Sequence, residues 1–330
     1  MSLNKNSVLT AENMKMPVLG LGTWQAKDDE IEKAIDAALE YGYRHIDTAY
    51  VYFNEIAIGK TLKKWLSSGK ILREELFIVA KLPVIGNRPE HVEHFLKKSL
   101  DNLQLTYVDL YLIHLPVGLK LIADDIPFPK SESGKLLLDM ETDHLALWKA
   151  MEKQVDEGRT RAIGLSNFNQ KQIKRIADNC RIKPANIQVE LHIYLQQKQL
   201  VNFCKENGIT VCAYAPLGSA SMIDFTKNVG FSVEGIPQWT PLTDPTVKDL
   251  AKKYNKAPSQ ILLRYLIQYG VAAIPKSSNP ERIKLNFDVF DFELSDDDFN
   301  KLSSLDKGEN GRMFANGLFG EMKPHPEYPF

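Results

Sequence analysis

Four apolar runs in this chain close on side chains that move or steer protons: one on Asp47 with Tyr52 just beyond, the others on Lys81, His114 and Tyr214. A phenol with a pKa near 10 is a weak acid at neutral pH. An ammonium about 4 Å away, at an effective dielectric near 20, favours the phenolate by about 4 kcal/mol, a ceiling of roughly 3 pKa units. Asp47 beside Lys81 keeps the lysine charged and offsets part of its field, so Tyr52 is expected to shift toward neutrality and to protonate an oxygen that gains charge. His114 then hydrogen-bonds the same oxygen. The set lacks an activated serine or cysteine, a carboxylate pair and a metal-ligand cluster, and it suits carbonyl reduction by hydride from a cofactor. Singly, each residue also has a plain structural role: Asp47 and Lys81 as an ion pair, Tyr52 as a packing aromatic, His114 as a satisfied core histidine.

Side chains at strand ends converge on one face when the strands are parallel. Eight short apolar segments supply such strands, at 18–22, 44–47, 76–80, 108–113, 162–165, 186–189, 210–213 and 271–274. Helical patterns separate them at 28–40, 56–65, 89–100, 143–157, 170–177, 196–206 and 247–269; in the first, Ile31, Ala34, Ile35, Ala38 and Leu39 share a face. Continuous apolar strands alternating with helices predict a parallel sheet covered by helices, and eight of them favour closure into a (β/α)8 TIM barrel of the α/β class. Thr23, Asp47, Lys81, His114, Ser166 with Asn167, Gln188 with Glu190, Tyr214 and Lys276 end these runs. All are expected at the C-terminal face, where such barrels keep their sites. Two long connections, 116–139 and 218–242, and the tail after Lys307 lack clear periodicity and are expected to enclose substrate. The 330 residues fit one domain, 1–330, whose tail 307–330 contributes to the pocket.

With 44% hydrophobic residues, 25% charged residues and a formal net charge of −1, the chain gives no electrostatic reason to expect nucleic acid or an anionic membrane as partner. No apolar stretch approaches the roughly 20 residues of a membrane span, and Met1 to Thr10 lacks the apolar core of a signal peptide. Three cysteines, Cys180, Cys204 and Cys212, without Cys-x-x-Cys spacing suit a reducing cytoplasm and structural roles. His91-x-x-His94 has metal-like helical spacing but no nearby carboxylate or thiol partner, and reads as solvated surface. Gly20-Leu21-Gly22 continues as Thr23-Trp24-Gln25 without the third glycine of a Rossmann turn.

Three separated blocks carry a family resemblance. Gly42-Tyr43-Arg44-His45-Ile46-Asp47-Thr48-Ala49-Tyr50-Val51-Tyr52 is the first; Asp101-Asn102-Leu103-Gln104-Leu105 with Tyr107-Val108-Asp109-Leu110-Tyr111 is the second. Ile274-Pro275-Lys276-Ser277 with Pro280-Glu281-Arg282-Ile283 is the third. Together they resemble the signatures of the aldo-keto reductase superfamily, in its aldose and aldehyde reductase branch, over essentially the whole chain. The resemblance implies Tyr52 as general acid, Lys81 and Asp47 as its tuning pair, and His114 as orienter of a small-molecule carbonyl substrate. It implies NADPH as cofactor: Ser166, Asn167 and Gln188 hold the carboxamide, Tyr214 stacks on the nicotinamide, and Gly22, Thr23, Trp24 and Asp47 flank it. Leu217 and Ser219 cover the pyrophosphate, Asn286 contacts adenine, and Lys276, Ser277 and Arg282 clamp the 2′-phosphate. Two cations and a hydroxyl favour a dianionic phosphate over a neutral ribose hydroxyl. Trp24, Val51, Tyr52, His114, Leu115, Phe314 and Leu318 are expected to face substrate, and the protein to act as a monomer.

The chain departs from many relatives at Leu82-Pro83 and Leu115-Pro116, where aromatic walls are common, and at Ala215 and Leu285. A wider pocket follows, with weaker adenine contacts. Met222, Ile223, Phe225, Phe231 and Trp239, with Phe314, Leu318 and Phe319, are expected to form an apolar lid for a bulky ketone such as a ketosteroid. The alternatives are a hydroxysteroid or alcohol dehydrogenase running the oxidation, and a non-catalytic relative of the channel-subunit or crystallin kind; the complete set of Asp47, Tyr52, Lys81 and His114 disfavours the latter.

Overall fold

The chain was analysed in a computed structural model that describes residues 3–330. It begins with an antiparallel hairpin, β1 (Val8–Ala11) and β2 (Met14–Pro17). Eight strands follow: β3 (Gly20–Gly22), β4 (His45–Asp47), β5 (Phe77–Leu82), β6 (Val108–Ile113), β7 (Thr160–Ser166), β8 (Asn186–Glu190), β9 (Thr210–Tyr214) and β10 (Ala272–Ala273). They pair in parallel and in chain order, as buried apolar strands with helical crossovers must. The circle closes where Leu19 bridges Ala273 and Gly22 bridges Lys276, with the Gly22 amide donating to the Pro275 carbonyl at 3.2 Å. A Cβ on Gly22 would lie 2.7 Å from the Ile274 carbonyl oxygen, so glycine is what lets the first and last strands meet.

The helices are α1 (Asp28–Tyr41), α2 (Glu55–Ser67), α3 (Pro89–Leu103), α4 (His144–Asp156), α5 (Gln170–Ala177), α6 (Lys198–Glu206), α7 (Met222–Asn228), α8 (Pro245–Tyr254), α9 (Pro258–Tyr269), α10 (Pro280–Phe287) and α11 (Asp296–Ser303). Their apolar stripes pack on the strands: in α1 the buried residues are the five whose spacing predicts that face. Side chains set the helix starts, as where Asp143 accepts from the Leu145 and Ala146 amides and Asn169 forms a capping box with Gln172. None of the described helices is long and apolar enough to cross a membrane.

Several elements differ from expectation. The continuous pattern at 247–269 is two helices, because Asn255 takes a left-handed conformation (φ 52°) that ends α8, and Pro258 opens α9 at a position that needs no amide donor. The 218–242 connection contains α7, and the tail turns twice as 3-10 helix, at Gly308–Gly311 and Gly317–Met322. The β1–β2 hairpin plugs the N-terminal end of the barrel: Met14 and Met16 pack with Phe77, Leu110 and Cys212, inside the ring of strands.

Candidate active site

The C-terminal strand ends deliver the predicted groups to one cavity of about 400 Å³. Lys81, at the end of β5, is fully buried, and its ammonium donates to Asp47 Oδ1 at 2.5 Å, to the Thr48 carbonyl at 3.0 Å and to the Tyr52 hydroxyl at 3.4 Å. Tyr52 reaches it from a short 3-10 turn, Tyr50–Tyr52, directly after β4. The other carboxylate oxygen of Asp47 accepts from Gln188 Nε2 at 2.6 Å, and the Asp47 carbonyl accepts from Thr23 Oγ1 at 2.9 Å. The Tyr52 and His114 rings stand edge to face with centroids 5.7 Å apart on the cavity wall. Lys81 itself does not line the cavity; it works from behind Tyr52.

The electrostatics correct one expectation. Burial pushes the Tyr52 hydroxyl above its ordinary value, and the Lys81 ammonium only partly reverses this. Tyr52 therefore holds its proton throughout the neutral range, as a reservoir rather than a group tuned toward neutrality. Burial opposes the charge on Lys81, but Asp47 and Tyr52 together raise its pKa, so it stays an ammonium. His114 is driven well below its ordinary value by burial and then by Lys81, which keeps it a neutral imidazole. A neutral ring can donate one hydrogen bond to a carbonyl oxygen without competing with Tyr52 for the proton transfer.

At the end of β7, Asn167 adopts a left-handed conformation (φ 65°) and spends its amide inside the protein. Its Nδ2 donates to the His114 carbonyl at 2.9 Å and to Ser166 Oγ at 3.1 Å, and its Oδ1 accepts from the Tyr214 hydroxyl at 2.7 Å. Asn167 thus orients the Tyr214 ring and the backbone of His114, and leaves the Ser166 hydroxyl hydrogen and Gln188 Oε1 to face a ligand amide. Farther along the same cavity lie Leu217, Ser219, Lys276, Ser277 and Arg282. Burial pushes the Lys276 ammonium down; Glu30 opposes that shift, and the Arg282 guanidinium adds to it less strongly. Asn286 is buried on α10, one turn beyond Arg282, and does not line the cavity.

Beyond Tyr52 and His114 the wall is apolar. Gly22, Trp24, Val51, Leu115, Phe314 and Leu318 line the cavity, with Phe225 and Phe319 of the lid segments and with Val84 and Phe128. Trp24 packs edge-on against Phe225 at 5.0 Å and near Phe314 at 5.9 Å. The lid is narrower in membership than expected. Phe231 lies under the Lys130 ammonium at 4.0 Å, Trp239 packs on His192 and Tyr194, and Met222 is buried beneath with Ile236 and Met313. The thiols are buried or half-buried and free, with Cys204 pushed up to about 12 by burial, which suits packing. His94 binds Asp124 at 2.8 Å on the outside of α3, and no metal-ligating group of three His, Cys, Asp or Glu occurs among the described residues.

One residue had no assigned role from its position alone. Glu190, at the end of β8, is fully buried and accepts hydrogen bonds from the Met313 and Phe314 amides. The link spans more than a hundred residues, and the only local signal is a charged side chain ending an apolar strand.

Fold and site define a (β/α)8-barrel oxidoreductase. The Aldo/keto reductase family matches residues 18–307. The chain is 41% identical to the protein named Aldo-keto reductase family 1 member A1 of Sus scrofa, across 98% of this chain and 97% of the relative, and 41% identical to the Homo sapiens protein of that name with the same coverage. A solved structure of the aldose reductase from Schistosoma japonicum is 43% identical, covers 98% of both chains and superposes with a TM-score of 0.86. The chain belongs to the aldo-keto reductase family, and is an NADP(H)-dependent carbonyl oxidoreductase.

Proposed function

We propose that this protein reduces bulky, uncharged aldehydes and ketones with NADPH, ketosteroid-sized ketones among them. The observation that carries this reading is the wall beyond Tyr52 and His114: Trp24, Val51, Leu115, Phe128, Phe225 and Phe314 present aromatic and aliphatic surface, and the lining cations, Lys276 and Arg282, belong to the third signature block at the far end. A carboxylate or phosphate on the substrate would find no counter-charge there, and would be desolvated at a cost. An apolar ring system buries its surface at roughly 25 cal/mol per Å².

The donor set supports NADPH. Ser166 and Gln188 offer a donor and an acceptor suited to a carboxamide, Tyr214 presents a ring fixed by Asn167, and Lys276, Ser277 and Arg282 suit a phosphate dianion. When bound, NADPH supplies hydride to the carbonyl carbon. Tyr52 donates its proton to the carbonyl oxygen as negative charge grows there, and the Lys81 ammonium stabilises the phenolate left behind. Neutral His114 orients the same oxygen by a hydrogen bond. Asp47 holds Lys81 in place and charged, and Gln188 holds Asp47. We further take the protein to act as a single-domain monomer in the cytoplasm, a reducing compartment that suits its three free cysteines.

A panel of small aldehydes, sugars, quinones and ketosteroids, followed by loss of NADPH absorbance, tests the substrate class. The expected result is turnover of large apolar ketones at least equal to that of small aldehydes; efficient reduction of small aldehydes with no turnover of ketosteroids or comparable ketones ends the bulky-ketone reading. Tyr52→Phe in the same assay is expected to bind NADPH normally and to lose nearly all reduction. Unchanged turnover removes Tyr52 from its role.

A further inference from the structure

The tail from Arg312 to Asn316 belongs to no strand or helix, yet it carries Phe314 into the apolar wall. Something other than secondary structure must hold it. Glu190 does so with both carboxylate oxygens: Oε1 accepts from the Met313 amide at 2.8 Å, and Oε2 from the Phe314 amide at 3.0 Å. His192 Nε2 stands 3.0 Å from Oε1, itself fully buried and backed by the Trp239 ring at 5.1 Å. The clamp fixes Phe314 edge-on against Tyr214 at 5.1 Å, near Trp24 at 5.9 Å and Phe319 at 5.6 Å. Met313 reaches the cofactor-side loop, its sulfur accepting from the Ser219 amide at 3.4 Å.

We propose that Glu190 is a positioning residue for substrate selectivity: by anchoring the Met313 and Phe314 amides to the end of β8, it sets the aromatic wall that selects bulky carbonyl compounds. The inference rests on the carbonyl-reductase reading of the same cavity. A carboxylate suits the task because it is acceptor-only and can take a backbone amide on each oxygen. Bonds to a charged acceptor are also stronger than neutral ones. A glutamine offers one accepting oxygen and turns its amine toward an amide that already donates. One tail hydrogen bond is then lost and two donors face each other. Phe314 is released from its place on Tyr214 and Trp24, whereas Tyr52, Lys81 and His114, held by other strands, stay as they are.

The test is Glu190→Gln in the full-length protein, with NADPH, a short aliphatic aldehyde that does not reach the tail, and the largest ketone that the wild type turns over. The KM for the large ketone is expected to rise about tenfold or more, the scale of one lost charge-assisted hydrogen bond. kcat/KM for the short aldehyde is expected to hold within about twofold, since a uniform loss would signal damage to the catalytic groups. Hydrogen exchange at the Met313 and Phe314 amides is expected to quicken at least about tenfold without NADPH or substrate, as their local opening becomes easier. Equal losses on both substrates, or an unchanged KM for the large ketone, overturn the proposal. Unchanged exchange at 313–314 overturns it independently, even if the wild type reduced no carbonyl compound at all and the functional reading itself failed. Should Glu190→Gln not fold, Glu190→Asp keeps the charge but withdraws both oxygens by one methylene, leaves the Met313 side chain on Ser219 intact, and must give the same split between the substrates.

Discussion

Replacing Lys81 by methionine keeps the length of the side chain and deletes its charge, and two consequences follow that can be told apart. The ammonium lies 3.4 Å from the Tyr52 oxygen, so at an effective dielectric near 20 it stabilises a phenolate there by about 5 kcal/mol. Asp47, 2.5 Å from the same ammonium, cancels part of that field. If about 2 kcal/mol survives, kcat in Lys81→Met falls by roughly 30-fold. The second consequence is structural: Asp47 is left buried and unpaired, which costs about 3–5 kcal/mol of stability. Lys81→Met with Asp47→Asn removes the stranded charge, so most of that stability returns while turnover stays low. Urea unfolding followed by tryptophan fluorescence reads the stability, and NADPH oxidation with a short aldehyde reads the turnover. A double variant that recovered turnover along with stability would refute a catalytic role for Lys81 and leave it a purely structural ion pair.

Because burial raises Tyr52 above its ordinary pKa near 10, kcat for reduction is expected to stay flat from pH 6 to about 9 and to fall only on the alkaline side; an alkaline limb centred near pH 7 to 8 would contradict this. Glu55, buried on α2 against Asn102, is pushed up to about 7 by burial. The folded state then binds a proton that the unfolded state releases between about pH 4.5 and 7, so the wild-type fold loses stability as pH rises through that window. Glu55→Gln escapes the loss and is expected to be more stable than wild type at pH 8, by up to about 3 kcal/mol, with the gain vanishing below about pH 4.5 in pH-dependent urea melts. Lys276→Met with Arg282→Ala is expected to weaken NADPH binding by about 100-fold or more and to leave NADH binding nearly unchanged in fluorescence titrations.

The eight strands were legible because each is a continuous apolar run ended by a polar side chain, and the parallel arrangement turned those ends into one face. Asp47, Lys81, His114 and Gln188 could be placed together for that reason. The break between α8 and α9 was hidden because the apolar periodicity runs through it; Asn255 and Pro258 were the only signals, and both are common inside loops and helices alike. The sign of the Tyr52 shift depends on how much protein covers the hydroxyl, and the covering residues come from segments with no pattern of their own. The Glu190 clamp was illegible because a carboxylate gripping backbone amides leaves no mark on the residue types at 313 and 314. The β1–β2 hairpin was illegible because two four-residue strands are too short for their alternation to stand out; what marks it is the packing of Met14 and Met16 inside the barrel.

That hairpin also makes the two ends of the chain unequal for anyone handling the protein. The N-terminal strands sit on the barrel's far end from the catalytic groups, so a purification tag or reporter appended there is remote from substrate. The C-terminal end is different. The Phe330 ring lies 4.3 Å from the Arg312 guanidinium, Tyr328 donates to the Ala315 carbonyl at 2.9 Å, and the Pro329 carbonyl accepts from Asn169 at 3.3 Å. A fusion at Phe330 would pull on the residues that flank Phe314, and so alter substrate preference without touching any catalytic group.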